Sequence, residues 1–193
     1  ANVRNSVIYG NQLGALFTAS YGSIAVTNNL VYGNETGGLR FTGAQSSGAG
    51  AELVNNSIYE LTGDAIFISA NSKNFHLRNN ILASSGYGVY VATDSQTGFT
   101  SNYNLFYPLS SGNVGYWQGT RTTISDWKFA TFLDGDSLSA DPLFVDVAGP
   151  DGQMGYDRVA DVNHGADDDF HLSSASGSYH GGAWTADAVD SPG

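Results

Sequence analysis

A polar pair followed by a short apolar run recurs along the amino-terminal half of the chain. It appears as Asn5-Ser6-Val7-Ile8-Tyr9, Asn28-Asn29-Leu30-Val31-Tyr32, Asn55-Asn56-Ser57-Ile58-Tyr59, Asn79-Asn80-Ile81-Leu82 and Tyr103-Asn104-Leu105-Phe106-Tyr107. Counted from Ser6 through Asn29, Asn56, Asn80 and Asn104, the intervals are 23, 27, 24 and 24 residues. A unit of that size cannot bury its own apolar face, so a near-constant period in the twenties requires each unit to stack on the next.

Aligned on the asparagines, every unit contains three short alternating runs separated by turn residues, the pattern of strands with one buried face. The first run is Ala15-Leu16-Phe17-Thr18, Gly38-Leu39-Arg40-Phe41, Ala65-Ile66-Phe67-Ile68 and Gly88-Val89-Tyr90-Val91, with Leu16, Leu39, Ile66 and Val89 expected inward. The second is Ile24-Ala25-Val26, Ala51-Glu52-Leu53, Phe75-His76-Leu77 and Phe99-Thr100-Ser101, its first and third members inward. The third follows the asparagines and turns Ile8, Val31, Ile58, Leu82 and Phe106 inward. Three strands per unit suit one coil of a helix built from sheets, with about five coils. Asn tolerates the left-handed backbone of a sharp turn, and amides at equivalent places in successive coils can bond one another. Asn29, Asn56, Asn80 and Asn104 are therefore expected to form a ladder. A sandwich of antiparallel strands joined by Asn- and Gly-rich loops is the competing reading, disfavoured by the registered recurrence of inward aliphatics. The 27-residue unit must bulge at "TGAQSSGAG".

These units resemble the right-handed parallel β-helix repeats of the pectate-lyase-like superfamily over residues 1 to about 107. The remainder is similar to tails of secreted bacterial β-helix proteins. It carries "ISDWKFATFLDGDSLSADPLFVD", "GPDGQMGYD", "DDDFHLSSASG" and "WTADAVDSP". The resemblance implies an all-β, right-handed parallel β-helix with a short helix and an irregular tail, and an extracellular or cell-surface location. Residues 1–107 form the coils and 108–193 a decorated carboxyl-terminal coil and tail of the same domain. Such tails usually go on to an apolar closing element, whereas this chain stops at Ser191-Pro192-Gly193, having begun in mid-repeat. It reads as a piece of a longer protein whose uncapped coils are open to end-to-end contact. Within the tail, Thr123-Ile124-Ser125-Asp126 approximates a capping box, so a helix is expected over about 126–133, packing Trp127, Ala130 and Leu133 or Phe132 on the coil. Ala140 to Val145 is expected as a last strand.

Composition narrows the partners. The chain of 193 residues has no cysteine and no apolar run long enough to span a membrane, and reads as soluble. Seven basic against eighteen acidic residues give a charge of −11, which disfavours nucleic acid and anionic membrane surfaces.

For chemistry, the resemblance points to the exposed face of the first sheet, where lyases and hydrolases of the superfamily place calcium-holding or acid–base carboxylates beside an Arg or Lys base. Here the outward set reads Phe17, Arg40, Phe67 and Tyr90, without a carboxylate, so the calcium-assisted lyase constellation does not transfer. Arg40 is a base only in an unusual environment; stacked on the rings it is a binding group. A column of exposed rings is a natural surface for sugars, so a polysaccharide or glycan is the expected partner, unless the tail or "SSGNVGYWQG" folds over it. Glu52, His76 and Arg78 face outward from neighbouring coils of the second sheet, as an acid–base trio or a solvated ion cluster. In the tail, Asp151, Asp157, Asp161 and Asp167 are calcium candidates or a solvated acidic loop, and their spacing fits no EF-hand. His164 and His171 read as surface residues. Two functions follow: a carbohydrate-associated module, binding or processing a polysaccharide along the sheet, and a non-catalytic structural or adhesive cell-surface solenoid.

Overall fold

The computed structural model describes residues 1–18, 22–44 and 50–173. The chain winds as a parallel β-solenoid in which three sheets run along the axis. The first sheet stacks Ala15–Thr18, Gly37–Thr42, Asp64–Ile68, Tyr87–Val91 and Asn113–Trp117, and the short Thr120–Arg121 strand returns antiparallel at its end. The second stacks Asn2–Arg4, Ile24–Thr27, Ala51–Val54, Phe75–Arg78 and Thr100–Asn102. The third stacks Val7–Tyr9, Leu30–Tyr32, Ser57–Glu60, Ile81–Ser84 and Leu105–Pro108, and Leu138–Ser139 adds a sixth rung. The bulge expected within "TGAQSSGAG" falls largely on residues 45–49, and "WTADAVDSP" wholly on residues 184–192, outside the described residues.

The core is the set of rows that alternation assigns to the interior. Ile24, Val26, Ala51, Leu53, Phe75, Leu77, Val31, Ile58, Leu82 and Phe106 are all buried, as are Leu39, Ile66 and Val89. One rung differs. Ala15 pairs with Leu39, Leu16 with Arg40 and Phe17 with Phe41, so Leu16 faces out, 55% exposed, and Phe17 turns inward. The glycines set this register. A Cβ on Gly14 would lie 2.6 Å from the Gly38 carbonyl oxygen and 2.7 Å from Val31, and one on Gly38 would meet Ala65 and Ile58 just as closely. Gly14 and Gly38 are therefore equivalent, and the strands read Gly-Ala-Leu-Phe-Thr over Gly-Leu-Arg-Phe-Thr.

The double asparagines divide two tasks. Asn5, Asn28, Asn55, Asn79 and Tyr103 take positive φ, between 50° and 58°, and make the turn. The residues that follow them form the ladder. The Asn29 amide nitrogen donates to Asn56 Oδ1 (2.9 Å), Asn56 to Asn80 (3.0 Å) and Asn80 to Asn104 (3.0 Å). Each of these acceptor oxygens also takes the backbone N–H of the preceding rung, at 3.0–3.2 Å. Each ladder amide donates again to a strand carbonyl, of Val3, Val26, Leu53 or Leu77. The four intervals from Ser6 to Asn104 make four full turns.

The ladder ends on the helix-bearing segment. Asn104 N–H donates to Ser137 Oγ (2.8 Å) and its side-chain amide to Asp134 Oδ1 (3.2 Å). Asp134, 1% exposed, also accepts Trp127 Nε1 (2.7 Å) and the Ser137 hydroxyl. The helix runs Ile124–Thr131 from the N-cap Thr123 with the full Thr123–Asp126 capping box, and ends at Phe132 in the left-handed region. Trp127 is fully buried against Phe99, Phe106 and Trp117, and Leu133 packs on the same core, whereas Phe132 is 89% exposed. Among the described residues, Trp127 and Leu133 thus pack over this end of the coil stack.

The segment expected as a last strand does not stack on the coils. Phe144–Asp146 instead pairs antiparallel with Asp169–Leu172. Together they lay Phe144 and Phe170 on the outward tyrosines of the third sheet. Tyr9 and Tyr32 stack at 4.9 Å, and Phe170 sits 4.4 Å from Tyr32 and 5.8 Å from Tyr59. Tyr32 is 1% exposed, and burial together with nearby Asp168 pushes its hydroxyl pKa upward.

A second polar corner joins the third and first sheets. Asn34 donates from its amide to Glu60 Oε1 (2.7 Å) and from its backbone to Oε2 (2.8 Å), while its own Oδ1 accepts Asn11 N–H (3.1 Å). Glu60 is fully buried, and desolvation pushes its pKa up to about 7, against the lowering effect of the Asn34 bonds.

Two outcomes are expected. Replacing Asn80 by Leu orphans buried donors on Asn56 and acceptors on Leu53 and Asn104, so urea unfolding should show a loss on the order of 3 kcal/mol or more. Asn79→Gly, which keeps the left-handed turn, should cost far less. Glu60 supplies one part of the pH dependence: the folded chain retains a proton that the unfolded carboxylate releases from about pH 4.5 upward. The contribution of Glu60 to stability should therefore be fully present below that pH and be lost as pH rises through about 7, by on the order of 3 kcal/mol. Glu60→Gln should remove that part of the slope in denaturation followed across pH.

Candidate functional site

Along the outward face of the first sheet the register aligns Leu16, Arg40, Phe67, Tyr90 and Tyr116 in one column. Successive side chains two residues apart face alike on a strand, so this column is fixed by the inward rows beside it. Phe67 and Tyr90 stack at 4.6 Å with ring planes 13° apart, and Tyr90 and Tyr116 at 4.5 Å and 14°. Tyr87 stands beside both tyrosines at 5.7 Å, its hydroxyl 2.8 Å from Thr120 Oγ1. The Arg40 guanidinium lies over Phe67, with Cζ 5.0 Å from the ring centroid.

Of the residues expected here, Arg40, Phe67 and Tyr90 come together and Phe17 does not. Phe17 belongs to the inward row, stacked on the buried Phe41 at 4.5 Å, because the Gly14–Gly38 equivalence shifts its strand by one residue. Tyr116 replaces it at the other end of the column. The stretch "SSGNVGYWQG", the alternative cover for the rings, supplies the Asn113–Trp117 strand that extends them.

Asp64 was also outside the expected set. It opens its strand beside Arg40, and its Oδ1 accepts Tyr87 N–H at 2.8 Å. Burial raises its pKa, opposed by the Tyr87 amide and by the positive charge of Arg40. The face therefore carries one carboxylate after all, next to a guanidinium whose buried Nε makes no hydrogen bond among the described residues. A stacked ring surface bounded by one cation and one carboxylate can hold the apolar face of a sugar and orient its hydroxyls.

Glu52, His76 and Arg78 do share one groove on the second sheet, with Thr100, Tyr103 and Leu133, of about 530 Å³. The tail carboxylates do not converge. Asp151 pairs with His164 (2.6 Å), Asp157 accepts Val159 and Ala160 N–H, Asp161 accepts the Tyr156 hydroxyl, and Asp167 lies beside Gly149. Among the described residues no three His, Asp or Glu side chains are grouped to hold a metal ion. His171 is paired with Asp169 at 2.7 Å.

Comparison with known proteins fits this architecture. The family described as "Right handed beta helix region" matches residues 1–106. The chain is also 25% identical over 176 residues to the uncharacterized protein YwoF of Bacillus subtilis (strain 168), an alignment covering 82% of this chain and 37% of that protein. It thus spans well under half the length of that relative. No solved structure matches. The chain belongs to the right-handed β-helix family.

Proposed function

We propose that this β-helix is an extracellular, carbohydrate-associated module that reads a glycan along the axis of its first sheet. The observation that carries the reading is the ring stack Phe67–Tyr90–Tyr116, with Arg40 at one end. On the third sheet Phe170 packs on Tyr32, which is 1% exposed, whereas Phe67, Tyr90 and Tyr116 of the first sheet each keep part of their surface exposed. At about 4.8 Å per strand, the four steps from Leu16 to Tyr116 span about 19 Å, room for a few sugar units lying along the axis. Ring stacking is uncharged and the net charge is −11, so neutral or weakly acidic glycans are the preferred class, with acidic groups seated only near Arg40.

A glycan array probed with this chain tests the reading. Tyr90→Ala should weaken retained glycans about tenfold or more, since removing the middle ring also breaks the stack on both sides. The melting temperature should shift by only a few degrees, because the ring lies outside the core. Failure of the unmodified chain to bind any glycan, or unchanged binding by both Tyr90→Ala and Phe67→Ala, would favour a structural or adhesive solenoid instead.

A further inference from the structure

The groove on the second sheet lies on a different face from the ring column, and its polar groups stand in order. Register places Glu52 opposite His76 and His76 opposite Thr100, so a carboxylate, an imidazole and a hydroxyl occupy three consecutive rungs of one outward row. His76 Nδ1 and Thr100 Oγ1 are 2.6 Å apart. With the ring proton on Nε2, the Thr100 hydroxyl donates to Nδ1, the arrangement in which a base takes a proton as an alcohol attacks. Arg78 projects outward two residues along the same strand as His76, opposite Asn102. A diagonal neighbour in a sheet is within reach of so long a side chain. Tyr103 and Leu133 give the groove its less polar wall, and about 530 Å³ admits a small organic group.

We propose that Thr100 and His76 are a nucleophile–base pair that hydrolyses short-chain carboxylic esters in this groove. Thr100 Oγ1 bonds to the acyl carbon while its proton passes to His76 Nδ1, and the carbonyl oxygen gains the negative charge, opposite the Arg78 guanidinium. Collapse of this intermediate breaks the ester C–O bond, and the departing alkoxide takes the proton from His76. Water then attacks the acyl-threonine, giving its proton to His76; the carboxylic acid leaves and Thr100 recovers the proton. The net reaction consumes one ester and one water and forms one acid and one alcohol, with no cofactor. Glu52, one rung behind, acts as a positioning residue whose negative charge favours the imidazolium that forms transiently. Exposed hydroxyl–imidazole contacts also occur as simple surface hydrogen bonds, so acyl transfer to Thr100 is the property that distinguishes the two.

Hydrolysis of p-nitrophenyl acetate by the purified chain tests this independently of glycan binding. The chain should turn over the ester, Thr100→Val and His76→Gln should each lower the rate at least about 100-fold, and Thr100→Ser should retain activity. Acid-quenched protein should carry an acetyl group on the peptide containing Thr100. Glu52→Gln should reduce kcat more than it alters KM. Circular dichroism establishes that each variant is folded, and should Thr100→Val fail to fold, the acetylated peptide and the Thr100→Ser rate decide. The proposal is overturned if Thr100→Val or His76→Gln keeps the rate of the unmodified chain, or if Thr100 is never acylated.

Discussion

The structure depends on one interaction: a side-chain amide that accepts and donates at the same spacing as the strands. In a parallel sheet the backbone repeats every 4.8 Å or so, and a buried polar group must find its partners within that step. Asn meets the condition because it carries an acceptor and a two-proton donor on one short arm. At Asn56 and Asn80 each amide oxygen takes two N–H groups from one neighbouring rung, and each amide nitrogen gives one proton to the next rung and one to a strand carbonyl. No coil can satisfy this corner alone, which is why the coils stack in fixed register. Serines mark both ends of the row, Ser6 donating its backbone N–H to Asn29 Oδ1 and Ser137 accepting the Asn104 N–H through its hydroxyl, with Ser101 and Asp134 taking the last side-chain amide.

Fixed register has a consequence on the outside. Once inward rows are aligned, outward rows are aligned as well, and aromatic residues at equivalent places come to stand side by side. The fold produces two such columns, Tyr9–Tyr32–Tyr59 on the third sheet and Phe67–Tyr90–Tyr116 on the first. The antiparallel pair of Phe144–Asp146 and Asp169–Leu172 packs Phe144 and Phe170 on Tyr32 and Tyr59 of the first of these and buries Tyr32. In the other, the rings cover one another's faces and keep their outer edges partly exposed. A shared geometric origin thus yields a structural column and a candidate recognition column, and the difference between them is made by the tail rather than by the coils.

The interior was legible because alternation has a period of two and the asparagines index each coil. Leu53, Leu77, Ile58 and Leu82 follow from those two facts alone. The slip at Leu16 and Phe17 arose where indexing from the asparagines conflicts with glycine contacts: Gly14 has no room for a Cβ beneath Val31 and Gly38, and the shared Phe-Thr endings of the two strands are the sequence trace of that constraint. Tyr116 was hidden because Ser110, Ser111 and Gly112 announce a turn, and the strand that follows lies beyond the last asparagine-indexed unit. Asp64 and Glu60 sit at strand ends, outside the alternating runs, so no periodicity marks them. The meeting of Phe144 and Phe170 with the third-sheet tyrosines joins segments far apart in the chain, and no local pattern carries it.

The two buried carboxylates show how differently the corners of such a solenoid treat charge. Asp134 is surrounded by donors from three elements, the ladder amide of Asn104, the indole of Trp127 and the hydroxyl of Ser137, so its charge is met where the stack closes. Glu60 has both oxygens engaged by a single residue, Asn34, and the next rung offers Ser84, whose buried Oγ makes no hydrogen bond among the described residues. Its desolvation is therefore only partly offset, which is the physical origin of its raised pKa. An amide in place of Glu60 would extend a second ladder from Asn34 without charge, and Gln has the reach for it. That the chain carries a carboxylate there makes this corner sensitive to protons between the uncharged rows of the core, while the outward faces that hold the ring column and the Thr100 groove lie on strands between the corners. The ring column and the Thr100 groove are thereby placed on surfaces whose side chains can vary without disturbing the amides that keep the coils in step.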